Sequence, residues 1–157
     1  MLFHKLSTII VSISLLAILT ACDDGTNTVA TPTNPTASIT FTYKFNGTEF
    51  KPNVITAYRA NFGGLPEPTM FITAHKGIDS VAITCPAVVG THSVSGTGRT
   101  FIQINNGDAY LSTEGTVTIS EITATKISGT FSGSAPNDGI FPPFSVTEGE
   151  FKNVAWY

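Results

Sequence analysis

From Ser38 onward the hydrophobicity of this chain repeats every second residue, and that period most restricts what the chain can fold into. Ile39, Phe41, Tyr43 and Phe45 alternate with Thr40, Thr42 and Lys44, so the large side chains fall on one face of an extended strand. Asn46-Gly47 follows, a pair that accepts the positive φ angles of a tight hairpin. Further strands are predicted over 54–62, 69–75, 80–84, 91–94, 100–104, 109–113, 116–122, 126–132 and 144–156. Gly63-Gly64, Lys76-Gly77, Gly90, residues 105–108 and Glu114-Gly115 punctuate them. No ten-residue window carries apolar residues at helical spacing. The expected domain is all-β, an antiparallel β-sandwich or a lipocalin-like β-barrel of about 8–10 short strands. By alternation, Phe41, Phe45, Phe71, Phe101, Phe131 and Phe151 are expected to face its core.

Composition agrees with a packed domain. Hydrophobic residues make up 41% of the 157, and eleven Phe rule out a disordered chain. Only 12% are charged, so Ser, Thr, Asn and Gly must supply most of the polar surface. The net charge of −3, with no basic cluster, argues against a nucleic-acid partner. The cysteines are Cys22 and Cys85. With Cys22 consumed as described next, Cys85 has no disulfide partner and is expected to be a small buried hydrophobe. Its neighbours in ITCPAV offer no base to activate a thiol.

The residues ahead of the domain have a different character. The α-amine and Lys5 give Met1 to Lys5 positive charge, and an apolar stretch runs from Leu6 to Leu19. A bilayer core needs about twenty residues, so this stretch suits a signal peptide instead. It ends in Leu19-Thr20-Ala21-Cys22, which looks like the lipobox of bacterial lipoproteins. That resemblance implies cleavage of residues 1–21, lipidation of Cys22, and attachment to a membrane. Each buried methylene contributes about 0.8 kcal/mol, so the two or three chains it implies would hold stably. Residues 22–37 then read as the lipidated cysteine and a flexible Thr-, Asn- and Pro-rich linker. About fifteen residues reach roughly 50 Å fully extended. Residues 38–157 form a single domain.

The C-terminal third carries a second resemblance. GTVTISEITATKISGTFSGSA (115–135), a turn rich in Gly and Pro, and FSVTEGEFKNVAWY (144–157) resemble an uncharacterised family of Bacteroidota lipoproteins, and YKFNGTEFKP (43–52) resembles its opening element. The family implies the fold and an envelope location, and almost no chemistry. Asp23-Asp24 resembles an inner-membrane retention signal of enteric bacteria and, in Bacteroidota, a surface-export signal; the family resemblance favours the second. Within the signature, Ile127, Gly129, Phe131 and Gly133 share one face, so two glycines flank a buried Phe where a strand or ring can approach closely.

Chemistry-bearing constellations are sparse. His75 and His92 sit on separate strand ends with no partner at metal-ligand spacing. Glu148-Gly149-Glu150 would point two carboxylates to one face of a regular strand, although a solvated strand edge accounts for them as well. Gly96-Thr97-Gly98-Arg99 precedes a strand rather than a helix and does not read as a phosphate loop. Asp79-Ser80-Val81 resembles a short O-glycosylation site at Ser80. Phe141, Phe144 and Pro142-Pro143 fall in a long loop and suit a ligand-binding rim, or equally a loop folded over the end of the sandwich. No nucleophile–base pair is visible, so no catalytic residue, cofactor or metal site is assigned.

These readings predict a membrane-anchored envelope lipoprotein, most consistent with the outer membrane. The expected role is a non-catalytic module for a glycan, a small apolar ligand or an envelope protein. A structural or accessory subunit is the alternative, and an enzyme the least favoured class. An open interior or aromatic cleft would favour a ligand, and a filled sandwich an accessory role.

Overall fold

The computed structural model describes residues 38–95, 99–137 and 142–157. The expected signal peptide, Cys22, Asp23-Asp24 and the linker lie outside the described residues, as do Gly96-Thr97-Gly98 and Phe141. The contacts divide the chain between Pro35 and Thr36, and the second of these units is described below.

The described residues contain strands and no helix. The elements are β1 (Thr40–Phe45), β2 (Thr48–Phe50), β3 (Val54–Ala60), β4 (Thr69–Lys76), β5 (Asp79–Pro86), β6 (Gly90–Ser93), β7 (Phe101–Asn106), β8 (Asp108–Leu111), β9 (Glu114–Ile122), β10 (Lys126–Ala135) and β11 (Phe144–Ala155). They form a six-stranded sheet ordered β2-β1-β11-β10-β9-β6 and a five-stranded sheet ordered β3-β4-β5-β7-β8. All the pairings are antiparallel. The all-β expectation is met, and of its two forms the structure is the sandwich. The short β2 adds a strand that the sequence analysis did not name. Asn46 and Gly47 turn β1 into it with φ angles of 47° and 81°, the doubly positive geometry of a type I′ hairpin.

The space between the sheets is filled. Phe41, Tyr43, Val146, Phe151, Ile127, Phe131, Val117 and Ile119 pack from the first sheet against Met70, Ile72, Val81, Ile83, Ile102 and Ile104 from the second. Burying each of the larger side chains contributes about 1.5–3 kcal/mol. The rings form one cluster, in which Phe131 lies 5.5 Å from Phe41, 5.8 Å from Tyr43 and 6.3 Å from Phe151. The glycine-flanked Phe of the C-terminal signature is realised here. A Cβ on Gly129 would meet the Phe151 ring at 2.6 Å, and one on Gly133 would meet Ile102 of the opposite sheet at 3.1 Å.

Two of the expected core aromatics face the other way. Phe71 pairs with Tyr58 and Thr84 in the five-stranded sheet, while its neighbours Met70 and Ile72 are wholly buried. Phe101 pairs with Thr84, while Ile102 is wholly buried. In both strands β-branched or flexible aliphatic residues occupy the inner face, and the ring is left on the outer one. Phe45 is only partly buried but packs on the core, as expected.

The strand β11 also departs from regular alternation. Its register slips against β1 between Thr42 and Lys44, and against β10 between Ile127 and Gly129. Glu148 and Asn153 hold positive φ angles of 52° at these bulges, and bulges of this kind bend a strand and increase its twist. The chain enters the domain at Ser38, whose carbonyl accepts a bond from Asn153 Nδ2 at 3.3 Å. Ile39 stands beside Pro52, Asn53 and Ile55, at the start of β3. At the other end of the sandwich corner, Arg59 N–H donates to Tyr157 O at 3.2 Å, and the Arg59 guanidinium lies 4.4 Å from the Trp156 ring centre.

Candidate binding surface

The five-stranded sheet has two unlike faces because β4 and β7 carry apolar side chains on both. The inner set belongs to the core. The outer set forms rows across the strands, fixed by the register. One row runs Tyr58, Phe71, Thr84, Phe101. The next runs Thr56, Thr73, Ala82, Gln103, and beyond it Val54, His75, Ser80, Asn105. Within these three rows stands no Asp, Glu, Lys or Arg, so the patch is aromatic at one side and hydroxyl- and amide-bearing at the other.

The aromatic row is ordered by its own contacts. Tyr58 and Phe71 stack with centroids 4.8 Å apart and planes 9° from parallel. Phe62, from the β3–β4 connection, meets Phe71 edge-on at 6.0 Å. Tyr58 remains 42% exposed and Phe62 50%. Such pairs contribute about 0.5–1.5 kcal/mol beyond area burial, which holds the rings in place. Thr84 lies between Phe71 and Phe101 in the row and is buried.

The polar rows are tied side chain to side chain. Thr56 and Thr73 hydroxyls lie 2.6 Å apart. Asn105 Nδ2 donates to Ser80 Oγ at 3.0 Å, and Gln103 Nε2 approaches Asn105 Oδ1 at 3.4 Å. Ser80 therefore sits mid-sheet with its hydroxyl engaged. At the edge of the aromatic row, Arg99 donates to Glu67 Oε1 at 3.2 Å, to Glu67 O at 2.9 Å and to Thr69 Oγ1 at 3.1 Å. Ala87 N–H donates to Pro68 O at 2.8 Å. These bonds fasten the connections before β4, after β5 and before β7 to one another.

A second concavity, of about 270 Å³, is lined by Tyr110, Leu111, Ala135, Pro136, Pro142 and Phe144. Phe144 was expected both at the start of the strand 144–156 and on the rim loop; it begins β11, as the strand reading has it, is buried, and packs 5.3 Å from Tyr110 and 5.9 Å from Phe45. It forms a wall of this concavity, with Pro142 beside it. Residues 138–141, which join Pro136 and Asn137 to Pro142, lie outside the described residues.

The remaining candidates are not brought together. The bulge at Glu148 separates the two carboxylates: Glu148 pairs with Lys44 at 2.7 Å and Glu150 with Lys152 at 2.8 Å. Both carboxylates are solvent-exposed, as the solvated-strand reading expects, although their strand lies inside the sheet between β1 and β10. His75 projects from β4 on the outer face, whereas the His92 ring on β6 meets Val88 O at 3.0 Å. Among the described residues no group of three His, Cys, Asp or Glu stands close enough to hold a metal ion. Cys85 is free and wholly buried on the inner face of β5, where desolvation pushes its thiol up to about 12. Tyr43 is likewise raised well above the usual phenol range, mainly by burial and secondarily by the charge of Asp79.

The outer aromatic row was missed in the sequence, although a signal for it existed. Phe101 is in phase with Gln103 and Asn105, and Phe71 with Thr69, Thr73 and His75. Rings that alternate in step with amides and hydroxyls belong to a solvent-facing set. No helix among the described residues is long and apolar enough to cross a membrane. Comparison with protein-family models, with curated proteins and with solved structures found no match to this chain.

Proposed function

We propose that the protein is a lipid-anchored, non-catalytic binding module of the bacterial envelope, whose contact surface is the outer face of the five-stranded sheet. The observation that carries the reading is the row of Tyr58, Phe71 and Phe101 left outside a core that is already filled. Removing such rings from water is favourable, so a partner that covers them gains binding energy. The anchor rests on the lipobox-like Leu19-Thr20-Ala21-Cys22. The bacterial envelope, and within it the outer membrane, follows from that motif and from the resemblance of the C-terminal signature. Glu148 and Glu150 of the signature are each engaged with a lysine, which supports a non-catalytic role.

Palmitate labelling of the full-length chain in a Gram-negative host tests the anchor. The wild-type chain is expected to incorporate the label and lose residues 1–21, and Cys22→Ala to do neither. Labelling of both, or of neither, would remove the lipid anchor from the reading. The filled interior also favours a second reading, an accessory subunit of a larger envelope complex. For that role, cross-linking in intact cells should yield one discrete partner whose capture survives Tyr58→Ala.

A further inference from the structure

We infer that the ligand of the outer face is an uncharged carbohydrate chain, laid along the Tyr58–Phe71–Thr84–Phe101 row. This inference rests on the proposal that the outer face is the contact surface, and it names the class of ligand. A sugar ring presents a flat C–H face and a rim of hydroxyls. The first packs on an aromatic ring, and the second needs neutral donors and acceptors at its side.

The sheet supplies both in adjacent rows. Two residues along the strands from the rings stand Thr73 and Gln103, uncharged and half-exposed. Three strand spacings of about 4.8 Å put roughly 14 Å between the Tyr58 and Phe101 backbones, the scale of a short oligosaccharide rather than of a single ring. The stack on Phe71 already holds Tyr58 in one orientation, so little side-chain freedom is lost when a ligand covers it.

Other occupants fit less well. A polyanion or an anionic bilayer requires Lys or Arg, and the three rows contain none. Arg99, at the edge of the aromatic row, is engaged by Glu67 and Thr69. A typical protein partner covers about 800 Å² on each side, whereas the apolar part of this face is a single row of rings bordered by hydroxyls and amides.

The test is affinity electrophoresis of the detergent-solubilised full-length chain through gels containing β-glucan, xylan, mannan, glycogen or, as the acidic comparison, alginate. At least one neutral polysaccharide should retard the chain. Tyr58→Ala and Gln103→Ala should each weaken the retardation about tenfold or more, with near-ultraviolet circular dichroism confirming that both fold. Ile78→Ala, at the β4–β5 hairpin tip, should leave it unchanged. Retardation by alginate alone, or by no polysaccharide, overturns the carbohydrate assignment. If no polysaccharide binds and Tyr58→Ala abolishes a dimer seen by sedimentation, the assignment falls while the face remains a contact surface, for a second copy of the chain. If a polysaccharide binds equally to both variants, the outer face itself is the wrong site.

Discussion

The Phe151 ring rests on the backbone of its cross-strand partner Gly129, so closely that a Cβ on that glycine would stand 2.6 Å from Phe151 Cζ. Two residues along the same ladder the arrangement is reversed, with Phe131 covering Gly149. Each ring, together with a backbone carbonyl (Thr118 O beside Gly129, Phe131 O beside Gly149), fills the volume that a side chain on the glycine would need. Gly129→Ala should therefore destabilise the domain by about 1–3 kcal/mol through overpacking. Urea denaturation of Gly129→Ala, Phe151→Leu and the double variant checks this. A double-variant cost somewhat smaller than the sum of the two single costs is expected, because removing the ring relieves only its share of the crowding and the Thr118 carbonyl keeps the rest; strict additivity would mean that the ring and the glycine are not coupled.

The β1–β2 turn makes a separable prediction. Asn46 holds φ at 47°, and its Oδ1 accepts a 2.8 Å bond from Ser145 N–H. Asn46→Ala loses the bond and puts in the left-handed region a residue that tolerates it less well than Asn, at a cost of about 2 kcal/mol in total. Asn46→Gly keeps the backbone free to turn and loses only the bond, so roughly half that cost is expected. Equal denaturation midpoints for the two variants would contradict this division.

Stability should fall on the alkaline side. Cys85 is raised to about 12 and Tyr43 is raised as well, so both stay protonated in the native state at pH values where the unfolded chain has begun to lose those protons. Their contribution is complete below the unfolded values, about 8.5 for Cys and 10 for Tyr. It declines as pH rises above them, by up to about 1.4 kcal/mol per pH unit for each group. Urea midpoints at pH 8, 9 and 10 should decrease, and Cys85→Ala should flatten the part of the slope that begins near pH 9. In the native protein Cys85 should resist a soluble thiol reagent at pH 8 and react once urea unfolds the chain. Rapid native labelling would show that the thiol is accessible.

Arg99 fastens the connection before β7 to the one before β4 through a fork of donors. Arg99→Ala should cost about 1–3 kcal/mol, because Thr69 Oγ1 and the half-buried Glu67 carboxylate lose a charged partner. Arg99→Lys should recover little of this, since an ammonium group cannot reproduce the planar geometry. Full recovery by lysine, measured by thermal unfolding, would reduce the interaction to simple charge pairing.

How far the sequence could be read depends on the strand. Ile39 to Phe45 showed its phase openly because hydroxyls and one Lys filled the opposite face, and Phe41 and Tyr43 are buried as expected. In β4 the run Met70-Phe71-Ile72 is apolar at consecutive positions, so period alone could not say which side faced inward, and the larger ring was assigned there wrongly. Phe101-Ile102 posed the same problem, although Gln103 and Asn105 carried the answer. The bulge at Glu148 was hidden for another reason: an inserted residue leaves no local mark when the partner strand is unknown. The outer aromatic row inherits these ambiguities, since a row across a sheet exists only once the strand order is known. The Tyr58–Phe71 contact joins residues of a hairpin, whereas Phe101 enters the row only through the β5–β7 pairing.

The double-faced strand β4 has a consequence for how this domain can change. Met70, Ile72 and Ala74 answer only to the interior, and Phe71, Thr73 and His75 only to whatever lies outside. Interior packing and outer-face chemistry are thus written in alternate letters of one word. Substitutions at Thr73 and His75 change the outer face without touching the interior, and Met70, Ile72 and Ala74 can drift in concert with the core without being felt at the surface.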